Sequence, residues 1–266
     1  MNSIYIVDSF TDKAFSGNPA AVQLVAKLEA NDRMQSIARE LNLSETAFVA
    51  YDEAEDVHPI RFFSPKMEIP LCGHATLAAA KVLFEISGNA SLAFENGNGL
   101  KLQAVRVANQ IEMQFPLYEL EEAAAGEPLL AALGIREVAY CGFNRETKIL
   151  MLELASTEEV CRLEPDFQAL IAANDSINGV VVTAKASDEF DFYSRYFWPW
   201  SGGDEDPVTG GTHTFLAKYW SGKLGKSKMR SFQASIRSGQ MEVVVLEESL
   251  LIRGEAVMVL KGSLLV

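Results

Sequence analysis

The feature that most constrains this chain is a segment it carries twice in outline. Arg61-Phe-Phe-Ser-Pro65 is followed by a loop and then by Cys72-Gly-His-Ala-Thr-Leu-Ala78. The second copy is Arg195-Tyr-Phe-Trp-Pro199, a longer loop, then Thr209-Gly-Gly-Thr-His-Thr-Phe-Leu-Ala217. The glycines of the two copies align only to within one residue. Each copy reads as a strand, a loop and an apolar helix that starts at glycine. A helix apolar almost all round belongs in the interior. Duplication of such a unit implies two similar halves. Each is expected to be a curved, mostly antiparallel sheet wrapped around one central helix, an α/β (α+β) fold with both helix N-termini facing a shared cleft.

That arrangement suggests what the chain can bind. The first turn of a helix carries backbone N–H groups without intrahelical partners, and glycine at Gly73 lets a ligand approach them closely. Such a turn suits a carboxylate. The stretch Ser201-Gly-Gly-Asp-Glu-Asp-Pro-Val-Thr-Gly-Gly211 reads as a turn-rich loop, stiffened by Pro207, that runs straight into the second apolar helix. A small substrate held by its carboxylate then needs a proton shuttle for isomerisation or racemisation. Carboxylates and histidine suit that task, because partial burial brings their pKa near working pH. Glu45, His74 and Asp206 adjoin the expected cleft, and spacing alone does not choose among them. Glu45 by itself reads as a solvated loop carboxylate at a strand entrance. Cys72, at a helix start, stays open as a thiol base.

Other chemistries find less support. There is no G-x-S-x-G elbow, no phosphate-cradling G-x-x-x-x-G-K-[ST] loop and no strand-linked G-x-G-x-x-G. Ser44 is a poor nucleophile candidate, with no histidine beside it in sequence. The formal net charge of -13 argues against nucleic acid and anionic membranes as partners. His58, His74 and His213 show no metal-ligand spacing, and no metal is expected. Three cysteines without a CxxC pair suggest reduced thiols in the cytoplasm. No leader and no membrane-spanning run is expected.

The 266 residues allow two ordinary domains. Helical spacing of Met34, Ile37, Ala38 and Leu41 predicts a helix from 31, capped by Asn31 or Asp32 and stopped at Asn42. Strands are expected at 3–9, 20–25, 43–50, 58–64, 91–95, 100–107 and 111–115, and the central helix should close near Ser87 and Gly88. The acidic, alanine-rich stretch 116–126 is the expected boundary. The first half is then 1–117, with the last strand near 256–266 read as able to return to it, and the second is 118–255. Beyond the boundary come helices at 128–133, 165–173 and 212–220. Strands there are expected at 137–141, 148–154, 179–183, 190–198, 229–235, 241–246 and 249–253, with a last one at 255–260.

Several of these motifs together resemble one family. Ser44-Glu-Thr-Ala-Phe48, Arg61-Phe-Phe63, Glu68-Ile-Pro-Leu-Cys-Gly-His-Ala-Thr76 and Glu205-Asp-Pro-Val-Thr-Gly210 resemble the phenazine-biosynthesis isomerase (PhzF-like) family. So does the opening, Val7-Asp-Ser-Phe-Thr followed by Gly17-Asn-Pro. The resemblance implies a diaminopimelate epimerase-like fold, no cofactor or metal, and a homodimer with a biosynthetic role. It implies an isomerase of a small carboxylated metabolite, similar to dihydro-hydroxyanthranilate isomerase, working by acid/base proton transfer. It places the acid/base on Glu45, with His74 and Asp206 as substrate contacts and proton-transfer helpers. Backbone groups at Gly73 and Gly210 would bind the substrate carboxylate. The family usually reads Gly-Ser-Ala after Asp-Pro-x-Thr, whereas this chain has Gly210, Gly211 and Thr212, so Gly211 stands where a serine is usual and Thr212 is the nearest hydroxyl. Phe232-Gln-Ala-Ser also replaces a more usual Gln-Gly. Two other readings keep the fold: a catalytically silent small-molecule or protein-binding member, and a one-thiol racemase or epimerase using Cys72.

Overall fold

The computed structural model describes residues 3–201 and 203–265, so Gly202 of the glycine-rich loop lies outside the described residues. The chain opens with β1 (Ser3–Ser9) and β2 (Asn18–Val25), then α1 (Asn31–Leu41), β3 (Glu45–Ala50), β4 (Val57–Phe63) and the two-residue β5 (Glu68–Ile69). These lead into α2 (Gly73–Ser87), followed by β6 (Ser91–Asn96), β7 (Lys101–Val107) and β8 (Gln110–Pro116). The next run is β9 (Glu121–Glu122), α3 (Glu127–Leu133), β10 (Tyr140–Asn144), β11 (Ile149–Glu153), α4 (Thr157–Arg162) and α5 (Phe167–Ala173). It continues through β12 (Gly179–Lys185), β13 (Phe192–Trp198), β14 (Gly203–Asp206), α6 (His213–Leu224), β15 (Lys228–Gln233), β16 (Gly239–Val245) and β17 (Ser249–Gly254). The last strand, β18 (Ala256–Ser263), pairs antiparallel with β1. Two compact units result: residues up to Gln114 with those from Leu251 onward, and Phe115–Leu250.

Each unit pairs its strands in the same way. In the first, β1–β2 is antiparallel, β2–β3 parallel and β3–β4 antiparallel, and β4 then takes β5 antiparallel and β6 parallel, with β6–β7 antiparallel. In the second, β10–β11 is antiparallel, β11–β12 parallel and β12–β13 antiparallel, and β13 takes β14 antiparallel and β15 parallel, with β15–β16 antiparallel. The repeat seen in the sequence is therefore a repeat of topology. Two parallel steps in each unit need crossover connections, and the second of these crossovers carries the apolar helix, α2 or α6.

The helix α2 is the core of the first unit because it has almost no polar face. Ala75, Leu77, Ala78, Ala79, Ala80, Val82 and Leu83 are all fully buried, against β1, β2, β3, β7 and β18. Alanine on several sides lets the strands close around it. The larger side chains each contribute about 1.5–3 kcal/mol on burial. Gly88, in the left-handed region at φ 71°, ends the helix.

The arginine of each repeat has a structural use. Arg61 Nε donates to Glu68 Oε1 at 2.7 Å, and Arg195 Nε donates to Glu205 Oε1 at 2.7 Å. Each guanidinium also lies over the aromatic ring two residues on, Phe63 at 5.2 Å and Phe197 at 4.9 Å. Residues i and i+2 share a face of a strand, so Arg-x-Phe brings cation and ring together. Because Phe62 pairs with Ile69 and Tyr196 with Asp206, Cys72 corresponds to Thr209 and Gly73 to Gly210. The ambiguity in aligning the glycines disappears. The extra residues of the second copy fall before Glu205, where Pro199–Ser201 forms a short 3-10 turn.

Some local expectations differ. The N-cap of α1 is Ala30, with no side-chain bond. Asn31, one of the two expected caps, instead accepts from Arg61 Nη1 at 2.7 Å. The helix α4 and the strand β14 were not expected. The signal for α4 was Ser156, whose hydroxyl accepts from the Glu159 N–H. Ser156→Ala is expected to cost about 1 kcal/mol of stability, measured by urea unfolding. The second apolar helix starts at His213 and runs past Gly222 to Leu224, beyond the expected end at 220. No helix among the described residues is long and apolar enough to cross a membrane.

Candidate active site

In the first unit the link from α1 to β3 sets the position of Glu45. Asn42 adopts the left-handed region at φ 51° and ends α1. The chain then enters β3 with Glu45 as its first residue. Beside β2 and β4 that position is interior, and Glu45 is only 5% exposed. The solvated carboxylate suggested by its sequence context is thus corrected by tertiary packing. Glu45 Oε2 lies 3.0 Å from Nε2 of His74, the second residue of α2, which is also buried.

Three further groups surround the His74 ring. Asn18 Nδ2 is 3.2 Å from Nδ1, Ser44 Oγ is 3.3 Å from Nε2, and Cys72 Sγ is 3.4 Å from Nδ1. Ser9 Oγ donates to the His74 carbonyl at 2.8 Å, fixing the first turn of α2 against β1. The loop between β1 and β2 is folded tightly here. Gly17 has φ +67°, and a Cβ on it would meet the Ser9 carbonyl oxygen at 2.2 Å. Only glycine fits that close approach, and the approach delivers Asn18 to the ring.

Burial disfavours a charge on His74, but Cys72 and Glu45 beside it more than offset this and hold its pKa well above the ordinary histidine value. Burial pushes the Cys72 thiol up, and the His74 imidazole beside it pulls the other way. The arrangement can move a proton: it holds a sheltered carboxylate against an imidazole, beside the first-turn N–H groups of a helix whose N-cap, Cys72, makes no side-chain cap bond. Ser44 does lie next to a histidine in space. Its hydroxyl has Asn18 Oδ1 at 3.1 Å and the Pro19 carbonyl at 3.0 Å as acceptors, and Glu45 is nearer to Nε2.

The second unit holds the other expected residues in a network of its own. Thr209 Oγ1 donates to Asp206 Oδ2 at 2.5 Å. Gln233 clasps both residues, donating to the Asp206 carbonyl at 2.7 Å and accepting from the Thr209 N–H at 2.9 Å. The matching amide in the first unit, Asn96, donates to the Pro70 carbonyl at 2.6 Å. Gly210 is buried and Gly211 exposed. The Thr212 hydroxyl, considered as a stand-in for the family serine, is fully buried and donates to the Thr209 carbonyl at 3.0 Å. It is therefore used internally. Bonds such as His213 N–H to the Gly210 carbonyl wind the entry to α6 as a 3-10 turn.

His213 is buried with both ring nitrogens partnered. Nδ1 lies 2.9 Å from the Thr209 carbonyl, and Nε2 lies 2.8 Å from Ser231 Oγ. Burial lowers its pKa to about 4, so the ring is neutral and supports the Thr209 turn. Asn18, Gln233 and Ser231 were not singled out as site residues from the sequence. A signal existed for Asn18, in Gly17-Asn-Pro, and for Gln233, in Phe232-Gln-Ala-Ser. For Ser231 there was none.

Relatives named as isomerases place the chain among isomerase-type enzymes. A hydroxyproline epimerase from Agrobacterium vitis shares the fold alone, at 12% identity and a TM-score of 0.60 over 98% of this chain and 91% of that one. Residues 7–262 match the family described as phenazine biosynthesis-like protein, and the chain belongs to that family. It is 40% identical to the mouse phenazine biosynthesis-like domain-containing protein 2, over 98% of each chain. An uncharacterised isomerase of Pseudomonas aeruginosa is also 40% identical over 98% of each. The crystal structure of a PhzF-family protein from Enterococcus faecalis matches with a TM-score of 0.92 at 36% identity, over 99% of each chain. The protein is an isomerase-type enzyme of this family.

Proposed function

We propose that the enzyme isomerises a small carboxylated molecule by moving a proton between two of its carbons, with Glu45 as the acid/base. The observation that carries this reading is the buried Glu45–His74 pair at 3.0 Å, at the first turn of α2. The Glu45 carboxylate takes a proton from a carbon of the substrate, and the electron pair left behind spreads into the substrate's conjugated system. Glu45 exchanges that proton with solvent and delivers a proton to a different carbon, so nothing is gained or lost overall. His74 stabilises the carboxylate until it is needed, and the N–H groups of Gly73 and His74 take the substrate's carboxylate. A conjugated ring acid of the dihydro-hydroxyanthranilate kind fits this chemistry, since it can delocalise the intermediate charge. Asp206, with Thr209, is proposed as a second acid/base group for the same reaction. For a one-thiol mechanism through Cys72, burial works against the thiolate form it needs.

The test is solvent exchange. The enzyme is incubated in D₂O with a panel of small conjugated carboxylates, including a dihydro-hydroxyanthranilate, and products are read by mass spectrometry. Deuterium in an isomerised product is the expected result. Ligands that bind, seen as a thermal shift, without any exchange would overturn the reading in favour of a silent binding member.

A further inference from the structure

The two units share a topology but place their polar side chains differently. Thr46 pairs with Phe63 and Val180 with Phe197, so Glu45 corresponds to Gly179, just as His74 corresponds to Gly211. The second unit therefore has no counterpart of the Glu45–His74 pair. Its polar groups stand on the next strands instead. Where the first unit opposes Phe62 to Ile69, the second opposes Tyr196 to Asp206. Directly opposed residues project from the same face of a sheet, and Tyr196 and Asp206 are only 6% and 8% exposed. The Tyr196 ring leans over Gly179, where an added Cβ would meet its hydroxyl at 2.5 Å. The hydroxyl thus occupies the side of β12 from which Glu45 projects in the first unit's β3. Packing does not account for it, because Phe62 fills the equivalent place with a bare, fully buried ring. Nor does the chain use it: the Tyr196 hydroxyl makes no hydrogen bond among the described residues. A buried phenol without a partner is costly, and a bound substrate can supply one. Burial and the charge of Asp206 raise the Tyr196 pKa above the ordinary value, so the group is a donor and not a base.

We propose that Tyr196 is a further catalytic residue, donating a hydrogen bond from its phenol to the substrate oxygen on which negative charge builds while the proton is off carbon. Tyr196 keeps its own proton throughout, and no covalent bond forms or breaks at it. This role rests on the proton-transfer reading above and sharpens its substrate class. The acid must carry a carbonyl or carboxylate oxygen conjugated to the carbon that gives up the proton. A preset donor facing developing charge stabilises the transition state more than the ground state.

The test is Tyr196→Phe, which removes only the hydroxyl and leaves the ring that the first unit has at Phe62. Wild type and variant are compared in D₂O on the panel of conjugated carboxylates, with a thermal melt of each. The variant is expected to turn over about 10²–10³-fold more slowly, with KM within a few-fold. That factor should be the same across neutral pH, because the phenol does not ionise there. Its melting temperature should be no lower than that of wild type, since no hydrogen bond within the chain is lost. Turnover within a few-fold of wild type overturns the role of Tyr196 and leaves the isomerase reading intact. So does a loss confined to KM, or one that comes with a clearly lower melting temperature, since the hydroxyl then serves binding alone or the fold. Wild-type protein that exchanges no deuterium on any acid overturns the isomerase reading itself, and this role with it.

Discussion

Replacing Glu45 with glutamine is expected to lower turnover by about 10²–10⁴-fold, the usual worth of a positioned acid/base. Glutamine keeps the size of the side chain and an oxygen that can still face His74, but it cannot accept and return a proton. Loss should therefore appear in kcat while KM stays within a few-fold, the pattern of a group that acts in the transition state. The measurement is the rate of solvent-deuterium incorporation at saturating substrate, beside a thermal melt showing that the variant is folded. Turnover equal to wild type would end the proposed role of Glu45, whatever the substrate. Asp206→Asn is the companion variant, and it reports on the second unit's acid separately.

The second large effect concerns pH and stability. His213 has a folded pKa of about 4 against an ordinary 6.5. Between those values the unfolded chain binds a proton that the folded one refuses. The contribution of His213 to stability is thus fully present above about pH 6.5 and is lost as pH falls towards 4. At about 1.4 kcal/mol per pKa unit, the loss is about 3 kcal/mol. Other groups titrate over the same range, so the useful quantity is a difference. Urea unfolding free energies of wild type and His213→Gln should draw together by about 3 kcal/mol between pH 7 and pH 4. A gap that stays constant across that range would show that His213 is not held neutral by its burial.

Much of the fold was legible because its causes are local or periodic. The apolar run of α2, its glycine stop, the strand entrance at Glu45 and the repeated Arg-x-aromatic strands all follow from side-chain pattern. The start of β2 was placed two residues late because Asn18 and Pro19 read as turn residues. In the folded chain Pro19 sits within β2, opposite Asp8. The short β14 is hidden in a sequence of glycines and acids that reads as loop. It exists because β13 offers it a partner, an interaction no window of sequence contains.

The sequence by itself determined that the chain repeats, that each copy centres on an apolar helix, and which residue types could move a proton. These are properties of composition and spacing, written along the chain. Tertiary structure alone decided that Glu45 is buried and that it meets His74. It also decided that Cys72 corresponds to Thr209, and that the Thr212 hydroxyl is already taken. Burial and pairing depend on which strands lie side by side, and parallel neighbours such as β2 and β3 join residues far apart in sequence. A glutamate that looks solvated in its own stretch of chain becomes a sheltered base once a strand from elsewhere closes over it.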